Sequence, residues 1–474
     1  MKKELIPKSQ NLSQWYTDVI IKAELADYAP VKGCMVIRPY GYSLWEAVQS
    51  FLDPLFKLQQ VQNAYFPLFI PESYLEKEKE HVKGFTPYTA VVTIAGGQEL
   101  TERLIIRPTS ETIMYAMYQK WIKSWRDLPI KINQWSNVVR WEKRTYLFLR
   151  TSEFLWQEGH CAHANHDESM KTVLWALECY KNMYQELMAI HCIAGYKSDA
   201  EKFVGGNKTL TVEILMPDGK ALQAGTSHDL GQNFAKAFNW TVQDEEGNDL
   251  HPWQNSWGLS TRSIGGLIMA HGDDNGLFFP PNIAPIQVVI IPIFKSDNQK
   301  EVMAYAEQIR DKLSDFRVNL DIKSGETAGF KFNQWEMKGV PLRVEIGIKE
   351  VKDNSITIVR RDDSKKAMIK SSEMIQKIKD ILEEMQIAAL SRHRKFTEEN
   401  THVVDSYGEF KEIMKTKRGF IKAFWCEDES CEIMIKKETK ASTRCLPIDA
   451  GEKRGKCIYC GKPAMHEWIF AQSY

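Results

Sequence analysis

Val138-Val-Arg-Trp-Glu142 closes a strand-like run that begins at Ile130, and after a charged loop the chain resumes as Phe148-Leu-Arg-Thr-Ser-Glu-Phe154. Strand-like stretches continue through Leu147–Phe154, Leu210–Met216 and Gly219–Gly225, which predicts an α+β layout built on an antiparallel sheet. Upstream, Leu44, Trp45, Val48, Phe51, Leu52 and Leu55 recur at helical spacing within 42–57. Ala64-Tyr-Phe-Pro-Leu-Phe-Ile-Pro71 follows, strand-like but punctuated by prolines. A second helix is expected after Pro108, with Thr109 or Ser110 as N-cap and Glu111 in its first turn.

The rhythm changes at Ile286. An apolar strand over 286–293 precedes a helix with Val302, Ala306, Ile309 and Leu313 on one face. Strands over 318–322, 342–348 and 356–361 and a long helix from about Ser372 then suggest a compact α/β domain. Residues 391–400 have no apolar face and read as a linker or a fraying helix end. With 474 residues, about three domains are expected at roughly 150 residues each. The divisions fall at 1–285, 286–390 and 391–474.

Lys+Arg 62 balance Asp+Glu 62, so a nucleic-acid partner would be gripped by local patches and not by bulk charge. The first ten residues lack the apolar core of a signal peptide. Residues 286–294 form an apolar run too short to cross a bilayer. A cytoplasmic chain without membrane contact is expected. Of nine cysteines, five (Cys426, Cys431, Cys445, Cys457, Cys460) crowd into 426–474. The scattered Cys34, Cys161, Cys179 and Cys192 read as ordinary buried thiols.

There is no GxxxxGK[ST] loop; Gly205-Gly-Asn-Lys-Thr209 lacks the glycine before lysine. ATP, if bound, would be held by arginine side chains on a sheet. Such arginines stand in the opening segments and in Ser256-Trp-Gly-Leu-Ser-Thr-Arg-Ser-Ile-Gly-Gly-Leu-Ile-Met-Ala-His-Gly272. These segments resemble motifs 2 and 3 of the class II aminoacyl-tRNA synthetases, and Tyr42–Pro71 resembles motif 1, the dimer element. HIGH and KMSKS strings, marks of the other synthetase class, are missing. Arg107-Pro-Thr-Ser-Glu111 and Gly225-Thr-Ser-His228 narrow the resemblance to the prolyl-tRNA synthetases, and the cysteine-rich tail to their archaeal/eukaryotic-like type.

The resemblance implies a homodimer that activates L-proline with ATP and Mg2+ and transfers it to tRNA(Pro). Arg140 would meet the α-phosphate and the amino-acid carboxylate, and Arg262 would clamp the γ-phosphate, both as permanently charged forks; these two are the expected catalytic residues. Glu142, Arg150, Thr151, Gln223, Thr226 and Ser260 match further ATP-contacting positions. Glu142, two residues from Arg140 on one strand face, could accept from the adenine amino group or support the metal. Proline carries a secondary ammonium with two N–H donors, which calls for a carboxylate and a hydroxyl. Thr109 and Glu111 resemble the family's pair for this task; the competing reading is a cap and a first-turn acid. Trp156, Glu158, His160, Phe203 and His228 resemble the remaining proline lining. His160-Cys-Ala-His-Ala-Asn-His166 has metal-like spacing, and a threonyl-specific relative uses zinc, but Arg107-Pro-Thr-Ser-Glu111 points to proline. A neighbouring specificity, threonyl or seryl, and a non-catalytic paralogue are the rival readings.

Cys426-x4-Cys431 and Cys457-x2-Cys460-Gly461 form two metal knuckles, and four thiolates would close tetrahedrally on a structural zinc. Cys445 is the spare. Residues 286–390 resemble the anticodon-binding domain of the same synthetases, with Arg343, Glu345 and Lys349 as candidates for reading splayed bases.

Overall fold

The computed structural model describes residues 5–81 and 88–474. Its centre is an eleven-stranded sheet, and the strand order runs 401–403, 420–425, 466–472, 441–447, 193–196, 208–215, 221–231, 253–260, 153–163, 130–139, 62–63. Pairing is antiparallel except at the two margins, where 401–403 with 420–425 and 62–63 with 130–139 run parallel. The expected α+β class is what the chain adopts.

One face of the sheet is covered by helices. Helix Pro39–Leu58 begins with proline in its first turn, where the missing N–H costs nothing, and buries Leu44, Trp45, Val48, Leu52 and Phe56. Helix His166–Asn182 buries Val173, Ala176, Leu177 and Tyr180 beside it. Between them lies an aromatic cluster in which Phe56 meets Trp257 edge-on at 4.9 Å and Trp175 meets Trp257 at 5.6 Å. Gly159 makes room for this cluster, since a Cβ there would come within 2.2 Å of the Trp257 indole.

A second sheet of five strands has the order 318–320, 288–292, 342–346, 355–360, 366–370. Its first three strands are parallel and its last two antiparallel. Val288, Ile290, Val344 and Ile346 pack against Val302 and Ile309 of helix Gln299–Lys312 and against Met374, Ile378 and Leu382 of helix Met374–Glu399.

Three local expectations change. Residues 147–152 are not strand: Tyr146 and Arg150 pair across a tight turn in which Phe148 has φ +61°. The consecutive apolar Leu147, Phe148 and Leu149 are all buried there, and strand begins only at Glu153. Within 64–71 only Phe69–Pro71 is strand, since Pro67 has no N–H to donate to a ladder. Residues 391–399 are the last turns of helix Met374–Glu399, held by buried His393 and Thr397, polar residues that a hydropathy pattern does not score as core.

The cysteine-rich end does not stand apart. Strand Ala441–Pro447 pairs with strand Ile193–Tyr196 through Leu446↔Tyr196 and Pro447↔Gly195, so one sheet runs from the tail into the centre. Gly195 is required there, because a Cβ would lie 2.4 Å from the Leu446 carbonyl oxygen. The chain end docks as well: Ser473 bridges Ala221, and the Tyr474 N–H donates to the Ala221 carbonyl at 3.3 Å.

Candidate active site and cysteine cluster

Strand periodicity assembles the site. Residues two apart on one strand share a face, so Phe154, Trp156, Glu158 and His160 look the same way from strand Glu153–His163. The register sets Trp156 opposite Ser260, Glu158 opposite Gly258 and His160 opposite Ser256. On the next strand Thr226 faces Gly258 and His228 faces Ser256, and beyond that Thr209 faces His228. Gly258, without a side chain, leaves the middle of this floor open. The result is a cavity of about 480 Å3 walled additionally by Thr109, Glu111, Arg140, Arg262 and the consecutive loop residues Glu201, Lys202, Phe203 and Val204.

Twelve of the fifteen candidate substrate residues line it: Thr109, Glu111, Arg140, Trp156, Glu158, His160, Phe203, Gln223, Thr226, His228, Ser260 and Arg262. Glu142, Arg150 and Thr151 do not. Glu142 and Arg150 form an ion pair at 2.7 Å, and the Thr151 hydroxyl donates to the Glu153 carbonyl at 2.7 Å.

The anionic end is prepared by unusual partners. Ser110 occupies the N-cap of helix Glu111–Trp121 but makes no capping bond. Its hydroxyl donates to Glu158 Oε1, which also accepts from Gln134 Nε2 at 2.9 Å. The Thr109 hydroxyl donates to Glu111 Oε2. Ser110 and Glu111 thus stand at the expected N-cap and first-turn positions, but neither the Ser110 nor the Thr109 hydroxyl bonds the helix backbone. His160 Nε2 lies 2.9 Å from Glu158 Oε2. Burial works against its imidazolium, but Glu111 and then Glu158 outweigh that and hold its pKa above the ordinary value. His228 goes the other way: burial brings its pKa down to about 4, with His160 and Arg140 adding to the effect against Glu111. The Phe203 N–H donates to Thr209 Oγ1 at 2.8 Å, so the Thr209 proton is free to donate to His228 Nδ1 at 2.9 Å. With the Thr209 hydroxyl donating to Nδ1, the second ring nitrogen of the neutral His228 is a donor.

The cationic end holds two guanidinium groups. Arg140 donates through Nε to the Pro108 carbonyl at 2.9 Å and lies over the Trp156 ring at 5.4 Å. Arg262 donates through Nε to the Leu149 carbonyl at 3.0 Å. Both are anchored by one nitrogen, and burial lowers the pKa of each, for Arg262 with Arg140 adding. Two cations brought together in a buried site are arranged for an anionic ligand. Ser256 Oγ and His160 Nδ1 are also buried without a partner. Arg107, from the same string as Thr109, is structural: its guanidinium donates to Phe66 O and Asn137 O.

Sequence reasoning missed Gln134, Thr209, Ser256 and the hydroxyl of Ser110 as site builders. Thr209 meets His228 19 residues on, Ser110 meets Glu158 48 residues on, and Gln134 accepts from Phe66 68 residues back. The histidines of 160–166 disperse. His166 Nε2 lies 3.0 Å from Asp229 Oδ2, and both ring nitrogens of His163 are buried without partners.

Among the described residues, one group can hold a metal ion: Cys426, Cys431, Cys457 and Cys460, whose sulfur atoms all lie within 4.8 Å of one another. Cys426 Sγ is 3.6 Å from Cys431 Sγ and 3.7 Å from Cys460 Sγ. A tetrahedron with metal–sulfur bonds of about 2.3 Å has edges of about 3.8 Å. Gly461, at φ +73°, turns the second knuckle. Cys445 is fully buried elsewhere, and burial pushes its thiol up to about 12.

The second sheet carries a smaller cavity of about 250 Å3 lined by Trp335, Arg343, Glu345, Arg361 and Lys366 among others. Arg343 pairs with Glu345 at 3.0 Å and stacks on Phe332 at 4.1 Å. Lys349 is exposed and outside this cavity.

Three family models match the chain. They are described as tRNA synthetase class II core domain (G, H, P, S and T) at residues 90–271, anticodon binding domain at 287–381, and prolyl-tRNA synthetase, C-terminal at 407–474. The proline–tRNA ligase of Natranaerobius thermophilus is 50% identical over 475 residues, covering 100% of this chain and 98% of that one. Proline–tRNA ligase 2 of Clostridioides difficile is also 50% identical, with the same coverage. The crystal structure of prolyl-tRNA synthetase from Cryptosporidium parvum, complexed with halofuginone and AMPPNP, superimposes with a TM-score of 0.94 at 44% identity, covering 99% of each chain.

Proposed function

The chain belongs to the prolyl-tRNA synthetase family of class II synthetases, and from that premise we propose how its own residues carry out ATP-dependent activation of L-proline and its transfer to tRNA(Pro). The observation that carries the reading is the two-ended cavity, with Glu111 and Thr109 at one end and Arg140 and Arg262 at the other.

Because the Thr109 hydroxyl donates to Glu111, the lone pairs of its oxygen remain open. Thr109 then accepts one N–H of the ring ammonium and Glu111 the other. Trp156 and Phe203 flank the apolar ring. The His228 donor and Arg140 hold the proline carboxylate, and Arg140 and Arg262 gather the phosphates of Mg·ATP, with Gln223, Thr226 and Ser260 alongside. Glu142, Arg150 and Thr151, just outside the cavity lining, contact the nucleotide from its mouth. A carboxylate oxygen of proline attacks the α-phosphorus, the bond to the bridging oxygen breaks, and diphosphate leaves. Arg140 and Arg262 offset the charge on the departing oxygens, so positioning and electrostatics suffice without a covalent nucleophile on the protein. The prolyl group then passes to the terminal adenosine of the tRNA, releasing AMP.

In this reading residues 1–285 catalyse and 286–390 bind the anticodon, with Arg343 and Glu345 meeting a splayed base in the smaller cavity and Lys349 its backbone. Residues 391–474 hold a structural zinc through Cys426, Cys431, Cys457 and Cys460. The enzyme works as a cytoplasmic homodimer through helix Pro39–Leu58 and the strand after it. No helix among the described residues is long and apolar enough to cross a membrane. Proline-dependent ATP–pyrophosphate exchange on the purified chain tests the reading. Exchange driven by threonine or serine, or by no amino acid, would overturn it.

A further inference from the structure

Four consecutive residues of the cavity wall, Glu201, Lys202, Phe203 and Val204, belong to the loop 197–207. The strands on either side fix its two ends, but the first half is gripped from elsewhere. Ser198 Oγ donates to Glu432 Oε1 at 3.2 Å, and Glu201 Oε1 accepts from Lys436 Nζ at 2.8 Å. Glu432 and Lys436 are four residues apart on helix Glu429–Thr439 and so lie on one face of it. Thr443, on the strand after that helix, donates to Glu432 Oε1, and its hydroxyl lies 3.0 Å from Ser198 Oγ. One residue on, Arg444 forms a buried fork to Glu213 at 2.9 and 3.0 Å, and Lys197 joins the same carboxylate at 2.9 Å. Burial alone would raise the pKa of Glu213, yet Arg444 and Lys197 hold it below the ordinary carboxylate value.

We propose that the C-terminal region is a positioning element for the substrate cavity, with Glu432, Lys436 and Thr443 setting the loop that presents Phe203. None of the three touches the cavity; they act through Ser198 and Glu201. The Phe203 ring packs against His228 at 4.8 Å, tilted by 41°, and His228 lies within electrostatic reach of Glu111 and His160, so the loop walls the ammonium end. Arg262, at the other end, takes no support from it. The anchor therefore governs proline and not ATP. This rests on the prolyl-tRNA synthetase reading above for its substrates, whereas the anchoring itself does not.

The Lys436–Glu201 pair is partly exposed, with side-chain exposures of 60% and 24%, so alone it contributes little. The test combines Ser198→Ala with Lys436→Met in the full-length protein. In the double variant, hydrogen exchange of the amides at 197–204 should quicken by about tenfold, and the proline KM should rise by about fivefold or more. The ATP KM and the turnover of pyrophosphate exchange should stay within about twofold. Lys436→Arg keeps the charge and should keep the parent proline KM. Unchanged loop protection, or equal rises in the proline and ATP KM, would overturn the proposal. If the double variant loses cooperative unfolding, Ser198→Ala alone, which removes the buried bond to Glu432, decides by the same two readouts. A parent chain without proline-dependent exchange would instead end the functional reading, and loop protection would still judge the anchor.

Discussion

The hydroxyl of Thr109 donates to the carboxylate of Glu111, two residues further on, and not to the backbone of the helix these residues introduce. Both groups are buried, at 5% and 4% exposure, on the wall of the main cavity. Replacing Glu111 by Gln keeps the volume and removes the anion that would hold the ring ammonium. A lost charged hydrogen bond costs about 1.5–3 kcal/mol, more where water is excluded, so proline use should fall roughly 10- to 200-fold. ATP affinity should be unaffected, because Arg140 and Arg262 are untouched; Arg140→Ala should impair both substrates. A Glu111→Gln protein with the parent's proline KM and turnover would remove Glu111 from the specificity role.

Metal analysis should find about one zinc per chain. Cys457→Ser removes one of four converging sulfurs and should lower zinc content and destabilise the tail. Cys445→Ser leaves zinc content unchanged, since Cys445 lies fully buried away from the cluster. Equal zinc loss from the two substitutions would redraw the ligand set.

Between the turn at Tyr146–Arg150 and strand Trp253–Ser260 the chain builds strands of the central sheet, the helices beside it and a two-stranded ribbon of Val242–Gln243 with Asp249–Leu250, without a separate hydrolytic unit. A pocket discriminates against a smaller apolar ring or chain by roughly 1–3 kcal/mol per missing methylene. Alanine should therefore drive measurable pyrophosphate exchange, and alanine attached to tRNA(Pro) should persist in the presence of the enzyme. Its rapid deacylation by the pure protein would contradict this.

Gly195→Ala tests the seam between the tail and the central sheet. The added methyl would lie 2.4 Å from Leu446 O and 2.7 Å from Cys445 Cβ, and relief of such overpacking costs typically about 1–3 kcal/mol. Thermal unfolding should shift down accordingly. A melting curve identical to the parent's would show that the two strands part easily.

Acid should destabilise the fold through histidines held neutral. Burial brings His163, His228 and His393 down to about 4 and His271 to about 3, with Lys131, His160, His191 and His393 respectively adding to it. Unfolded, each binds its proton near pH 6.5. The stability is thus intact above pH 6.5 and is lost as pH falls toward about 4, at up to about 1.4 kcal/mol per pH unit for each histidine. Melting temperatures at pH 7.5, 6 and 5 check this, and His393→Gln should shallow the decline. A flat profile over that range would mean that the folded protein accepts these protons freely.

Local pattern carried the strands, the helices and the cysteine knuckles, because period and spacing are properties of neighbours in sequence. It failed where identity depends on a distant partner. Ser110 reads as a cap by every local rule, yet its bond goes to Glu158, 48 positions on. Leu147, Phe148 and Leu149 read as strand, since apolar runs look alike whether extended or coiled into a buried turn. His393 and Thr397 look solvent-facing by type, yet His393 accepts from the His191 N–H beside the His271 ring, and Thr397 donates to the His393 carbonyl. The union of the tail with the central sheet has no local trace at all; Arg444 meets Glu213 across 231 residues.

That union sets an order on biogenesis. Strand Ile193–Tyr196 leaves the ribosome long before residues 441–447, which become its neighbour. At about 5–20 residues per second the nascent chain carries an unpaired edge for roughly 10–50 seconds. An open edge is a template for pairing with other chains. A truncated product ending near residue 400 would keep that edge permanently, and its fate would be aggregation or capture by chaperones, even with every residue of the main cavity present.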